Sequence, residues 1–115
     1  MTAPLNRDTL FLLKPDVSEG DIASYCPHSA QIEGLLTYAP ELRDHLDVRH
    51  LNFPRPRPAL VALLGEANQS APVLVLGDDH PEDDLVRRAG EVAFVQGARE
   101  IATFLSRAHG TARPR

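Results

Sequence analysis

The chain has 115 residues, 43% of them hydrophobic and 24% charged, with a formal net charge of −4 and a single cysteine. Those values fit one globular domain and exclude a disordered chain, a basic nucleic-acid binder and a disulfide-stapled scaffold. A reducing cytoplasm is the expected compartment: residues 1–8 lack the apolar core of a secretory signal, and no apolar run approaches the roughly 20 residues of a membrane helix.

With no tryptophan and only 5% aromatic residues, the core must be built mainly from Leu, Val, Ile and Ala. Thr9-Leu10-Phe11-Leu12-Leu13 is a short continuous apolar run ending at Lys14-Pro15, the pattern of a strand buried on both faces. The stretch carrying Pro15, Ser18 and Gly20 is too irregular for an element. Cys26-Pro27 then opens a helix, since proline suits the first helical position. Ala30, Ile32, Leu35, Leu36 and Ala39 give it a core-facing stripe before Pro40 ends it.

Leu46-Asp47-Val48-Arg49 alternates as a half-exposed edge strand does. Phe53-Pro54-Arg55-Pro56-Arg57-Pro58 carries too much proline for a helix or a central strand and reads as a stiff connector. Pro58 starts a second helix with Leu60, Leu63, Leu64 and Ala67 on its apolar side. Pro72-Val73-Leu74-Val75-Leu76 is a second buried strand, residues 77–90 are predicted as a charged loop, and Val92-Ala93-Phe94-Val95 is a fourth strand. Ala98 to His109 forms the last helix, with Ile101, Phe104, Leu105 and Ala108 on one face and Gly110 beyond its end. Thr111 to Arg115 reads as a frayed basic tail.

The element order β-α-β-α-β-β-α predicts an α/β fold in one domain, residues 1–115 with a core of about 8–110. The two fully apolar strands belong at the centre. The expected architecture is a four-stranded mixed sheet, in the order second-first-third-fourth strand, with helices on both faces. A right-handed crossover makes the first two strands parallel. A hairpin then sets the third antiparallel to them and returns the fourth parallel. This topology gathers four segments at one end of the sheet: the Cys26 helix start, the Arg55–Arg57 connector, Ser70-Ala71-Pro72, and Gln96-Gly97-Ala98. Two of them are helix N-termini, whose free N–H groups and dipole favour an anion such as a thiolate.

Cys26-Pro27-His28-Ser29 opening the first helix, with Ala71-Pro72 at the mouth of the third strand, resembles the active-site pair of thioredoxins and glutaredoxins. The segments Thr9–Asp16, Tyr25–Pro27, Ile32–Leu36, Leu46–Arg49, Phe53–Arg57 and Asn68–Leu76 more closely resemble a bacterial domain-of-unknown-function family with a thioredoxin-like fold. The resemblance covers nearly the whole chain. It implies the thioredoxin-like fold, a cis peptide before Pro72, and pairing of the adjacent backbone with a bound thiol partner. The chain departs from that family's common Cys-Pro-x-Cys pattern, because Ser29 stands where a second cysteine is usual. A dithiol–disulfide cycle within one chain is therefore excluded.

The candidate catalytic residues are Cys26 as the thiol, His28 as a nearby cation, and Ser29 as a hydroxyl donor to the thiolate; the alternative is a buried, inert cysteine. The candidate ligand-binding residues are Pro27, Ala71, Pro72, Arg55, Arg57, Gln96 and Gly97. A proline just before a buried strand removes a ladder donor, and a cis peptide would account for it. Arg55 and Arg57 could grip a carboxylate such as those of glutathione, or simply keep a stiff loop soluble. The acidic run of Asp78, Asp79, Glu82, Asp83 and Asp84 with His80 lacks calcium-loop spacing and is read as a charged loop without a metal. No serine-hydrolase elbow is present.

The functional expectation is a glutaredoxin-like monothiol redox protein, with no resident cofactor and glutathione as a co-substrate, acting on a thiol- or disulfide-bearing small molecule or protein. The alternative is a thioredoxin-like binding module for glutathione, a peptide or a protein, with a degenerate site. Nucleic acid and membrane are not expected partners.

Overall fold

A computed structural model describes residues 7–16, 20 and 22–115. The expectations for residues 1–6 and for Ser18 lie outside the described residues. The elements are β1 (Thr9–Leu13), α1 (Pro27–Tyr38), a short 3-10 helix (Pro40–Asp44), β2 (Asp47–Leu51), α2 (Pro58–Leu64), β3 (Val73–Val75), β4 (Arg87–Ala89), β5 (Val92–Gln96) and α3 (Ala98–His109). They form a mixed α/β fold around one five-stranded sheet of order β2-β1-β3-β5-β4.

β1 is parallel to β2 and antiparallel to β3, and β5 is antiparallel to β3. The apolar runs are continuous because both faces of the central strands are covered. Leu10, Leu12, Leu74 and Val95 point into one cluster with Ile32 and Leu36 of α1 and Ile101, Phe104 and Leu105 of α3. Phe11, Val73, Val75 and Phe94 point to the opposite face, against Leu60, Leu63 and Leu64 of α2.

The four-stranded sheet is corrected to five strands. β4 lies within the stretch expected to be only a charged loop, and it pairs Arg87 with Phe94, Arg88 with Ala93 and Ala89 with Val92. Three residues with two arginines carry no apolar periodicity. Its existence depends on a tight turn at Gly90, where φ is 61°, a conformation that glycine adopts without a Cβ clash. β3 and β5 are therefore not joined as a simple hairpin.

Smaller differences have similarly local causes. α2 stops at Leu64, and Ala67 lies outside it, because Gly65 takes φ 86°. Ala30 is exposed rather than part of the stripe of α1. Residues 111–115 are not a frayed tail: they lie against α1 and α3, and Arg99 Nη1 donates to the Arg115 carbonyl at 3.4 Å. α3 ends as expected, with Gly110 left-handed at φ 75° and its N–H on the Ser106 carbonyl. Among the described residues no helix is long and apolar enough to cross a membrane.

Candidate functional site

The strand registers place the ends of β1 and β2 together, Leu13 beside Leu51, with the start of β3 and the end of β5 alongside, Val73 opposite both Phe11 and Gln96. The segment leading from β1 to α1 is closed by a bridge in which the Asp16 and Ser24 backbones exchange hydrogen bonds of 2.8 and 2.7 Å. That bridge delivers Cys26 to the N-cap of α1 with extended backbone, φ −81° and ψ 115°. Cys26 is half-buried, and its Sγ accepts the Ser29 N–H at 3.4 Å. An N-cap side chain normally takes one of the unpaired N–H groups of the first turn, and here sulfur does so.

The Ser29 hydroxyl oxygen bonds to the end of β1. The residue is 3% exposed, and its Oγ accepts the Leu13 N–H at 3.1 Å. The thiol is reached by the Ser29 backbone, while the hydroxyl fastens the first turn of α1 to the end of β1. Alternate N–H groups along a strand face opposite neighbours. The Lys14 N–H bonds to Leu51 of β2, so the Leu13 N–H faces the β3 side. Ser29 occupies that position, and the β1–β3 ladder ends at the Phe11–Val73 pair. Extending that register by two residues sets Ala71 opposite Leu13. The Ala71 N–H and C=O have no hydrogen-bond partner among the described residues.

The other expected site residues fall into two groups. Gln96 donates from Nε2 to the Ser70 and Pro72 carbonyls, both at 3.2 Å, and the Gly97 N–H reaches the Pro72 carbonyl at 3.3 Å. These contacts stitch the end of β5 to the mouth of β3, where Pro72 is buried and follows a cis peptide; the Arg55–Pro56 peptide is also cis. Pro27 is the exposed first residue of α1, and His28 beside it is exposed, with no side-chain partner among the described residues. Gly97 takes φ 100°, and a Cβ there would collide with the Glu100 carboxylate. The N-terminus of α3 is thus covered by its own side chain. A glutamate at the third helical position was the sequence signal for this.

Arg55 is exposed and donates to Ser70 Oγ at 3.3 Å. Arg57 is 7% exposed. Its Nε and Nη2 donate to the Phe53 carbonyl at 3.1 and 2.6 Å, and its Nη1 to the Gln69 carbonyl at 2.6 Å. The Arg57 backbone N–H donates to Gln69 Oε1 at 2.7 Å, and the guanidinium lies 5.8 Å from the Phe53 ring centre. Arg57 is therefore a strut that holds the proline-rich connector against the approach to β3. Burial and then the charge of Arg55 pull its pKa down, opposed by the attraction of Cys26.

Two features escaped the sequence reading. Ile22 and Tyr25, 80% and 66% exposed, leave apolar surface on the approach to Cys26; their spacing carries no periodic signal. Gln69 bonds across the connector, a contact only the tertiary fold creates. Among the described residues no three His, Cys, Asp or Glu side chains come together to hold a metal ion.

The family model described as a protein of unknown function (DUF3088) matches residues 7–113. The chain belongs to that family. No curated protein and no solved structure matches it.

Proposed function

We propose that this member of the DUF3088 family is a thioredoxin-like monothiol protein that exchanges disulfides through Cys26. The observation that carries the reading is the Cys26 sulfur capping α1, held by the Ser29 N–H at 3.4 Å. A helix N-terminus favours a thiolate, which is the reacting form.

In the first step the Cys26 thiolate attacks one sulfur of a partner disulfide. A Cys26–partner disulfide forms, the partner's S–S bond breaks, and its other sulfur leaves as a thiolate. An external thiol such as glutathione, as its thiolate, then attacks the partner's sulfur in the mixed disulfide. Cys26 leaves as thiolate, and the partner departs joined to the external thiol. No second cysteine is needed. The unpaired Ala71 N–H and C=O offer a partner's backbone a strand-like pair of hydrogen bonds. Arg55 and the exposed His28 add positive or titratable character at the rim.

The test is alkylation by iodoacetamide at pH 6, comparing the folded chain with an unstructured peptide of residues 23–31. The folded chain should react about threefold faster or more, and Cys26→Ser should not react and should lose glutathione-dependent reduction of a small disulfide. A folded chain no faster than the peptide would overturn the reading and leave a binding module with a retired thiol.

A further inference from the structure

Gly34 lies in the middle of α1, where glycine is a poor helix former compared with alanine. Such a glycine is commonly explained by a neighbour packed too close for a Cβ. Here, apart from the adjacent residues and the helix's own backbone, no heavy atom lies within 4 Å of the position a Cβ would take. The space it leaves belongs to a half-open slot of about 880 Å³ between α1, α3 and residues 110–115, a volume within the range of small-molecule sites.

The slot has an apolar floor of Ile32, Leu35 and Ala102. Thr111 borders it, and its Oγ1 is buried without a hydrogen-bond partner among the described residues. Buried hydroxyls in folded proteins are nearly always satisfied. Arg99, Arg113 and Arg115 also line the slot; Arg99 Nη1 donates to the Arg115 carbonyl at 3.4 Å, and none of the three pairs with an Asp or Glu side chain among the described residues. Glu41 is the single acidic lining residue there, so the balance is cationic. An apolar floor beside a cationic rim suits a molecule with an apolar body and an anionic end.

We propose that this slot binds a small amphipathic carboxylate. Its unbranched alkyl chain would lie on Ile32, Leu35 and Ala102 beside Gly34. Its carboxylate would take guanidinium N–H groups from Arg99 and Arg113. The site is separate from Cys26 and does not depend on thiol chemistry.

Decanoate is the probe, titrated into the full chain by calorimetry and followed by amide NMR. One decanoate should bind saturably, with shifts concentrated in α1, α3 and residues 110–115, and decanol should bind about tenfold more weakly or worse. Gly34→Leu fills the slot while replacing a poor helix former with a good one. It should raise the melting temperature yet weaken decanoate by about tenfold or more. Ala102→Leu, read the same way, serves if Gly34→Leu fails to fold. Arg99→Glu should weaken decanoate and leave decanol unchanged. No saturable binding, equal binding of decanoate and decanol, undiminished binding in the slot-filling variant, or a dimer that Gly34→Leu dissociates would each overturn the proposal.

Discussion

Ser29 separates two roles that its place in a Cys-Pro-x-x pattern would merge. Its backbone serves the Cys26 sulfur, and its hydroxyl serves the Leu13 N–H in a site only 3% exposed. Ser29→Ala keeps the first and removes the second, leaving a buried N–H without a partner. That should cost about 1–3 kcal/mol in urea unfolding. Alkylation of Cys26 should stay within about twofold of the parent, since the helix N–H groups are retained. A large loss of reactivity with unchanged stability would mean that the hydroxyl itself supports the thiol. Arg57 shows a comparable division. The arginine pattern suggested a carboxylate grip, but three of its N–H groups are spent on the Phe53 and Gln69 carbonyls.

β4 is the element least visible in the primary structure and the one most dependent on its neighbours. Asp83 prepares it: Oδ1 accepts the Leu85 N–H at 2.9 Å, and the carbonyl accepts the Val86 N–H at 3.2 Å. The Leu85 N–H is also the leading cause that holds the Asp83 carboxyl below the ordinary carboxylate range, with Asp84 and Arg107 assisting against the effect of burial. Arg107 of α3 reaches both Asp83 and Asp84 at 2.9 Å and so ties the loop to the last helix. Asp83→Ala should destabilise the chain by about 1 kcal/mol, chiefly through the lost side-chain acceptor. Hydrogen exchange should accelerate first at Arg87–Ala89. Equal protection in parent and variant would show that the β5 pairing alone holds β4. α1, α2 and α3 were legible by contrast, because proline or glycine marks their ends and their apolar residues recur at helical spacing.

At the scale of the molecule, a sheet covered on both faces leaves the far end, away from Cys26, to bring chain segments together. There His45, just after the 3-10 helix, stacks on His109 at the end of α3, with ring centres 4.6 Å apart and planes 17° apart. Burial and then the His45 charge lower the His109 pKa, partly opposed by Asp8. Above about pH 6.5 both folded and unfolded His109 are neutral, and the pair exacts no penalty. As pH falls below that value the unfolded chain takes up a proton that the folded chain resists. Stability therefore falls with pH until the lower folded value is passed. Urea midpoints should decline between pH 7.5 and 5.5, and less steeply in His45→Gln, which removes the neighbouring charge. Identical slopes would exclude the pair as the source.

The sequence by itself determined the α/β class, the two buried strands, the parallel β1–β2 pair, the helices on both faces, and the convergence of Cys26, the 55–57 connector, Ala71-Pro72 and Gln96-Gly97 at one end of the sheet. These follow from local signals: apolar periodicity, proline and glycine punctuation, and the handedness of crossovers. Tertiary structure decided what the converging side chains do. Ser29 turned to Leu13, Arg57 was drawn into its own connector, Glu100 covered the start of α3, and residues 110–115 folded back over α1 and α3. The physical reason is that a polar group inside a fold must take whichever partner packing leaves within reach. The Ser29 partner is 16 residues distant and the Gln69 partner of Arg57 is 12, beyond any local pattern, while Phe53 lies only four residues from Arg57. β4 came the same way, as an edge created by β5 and a glycine turn rather than by its own three residues.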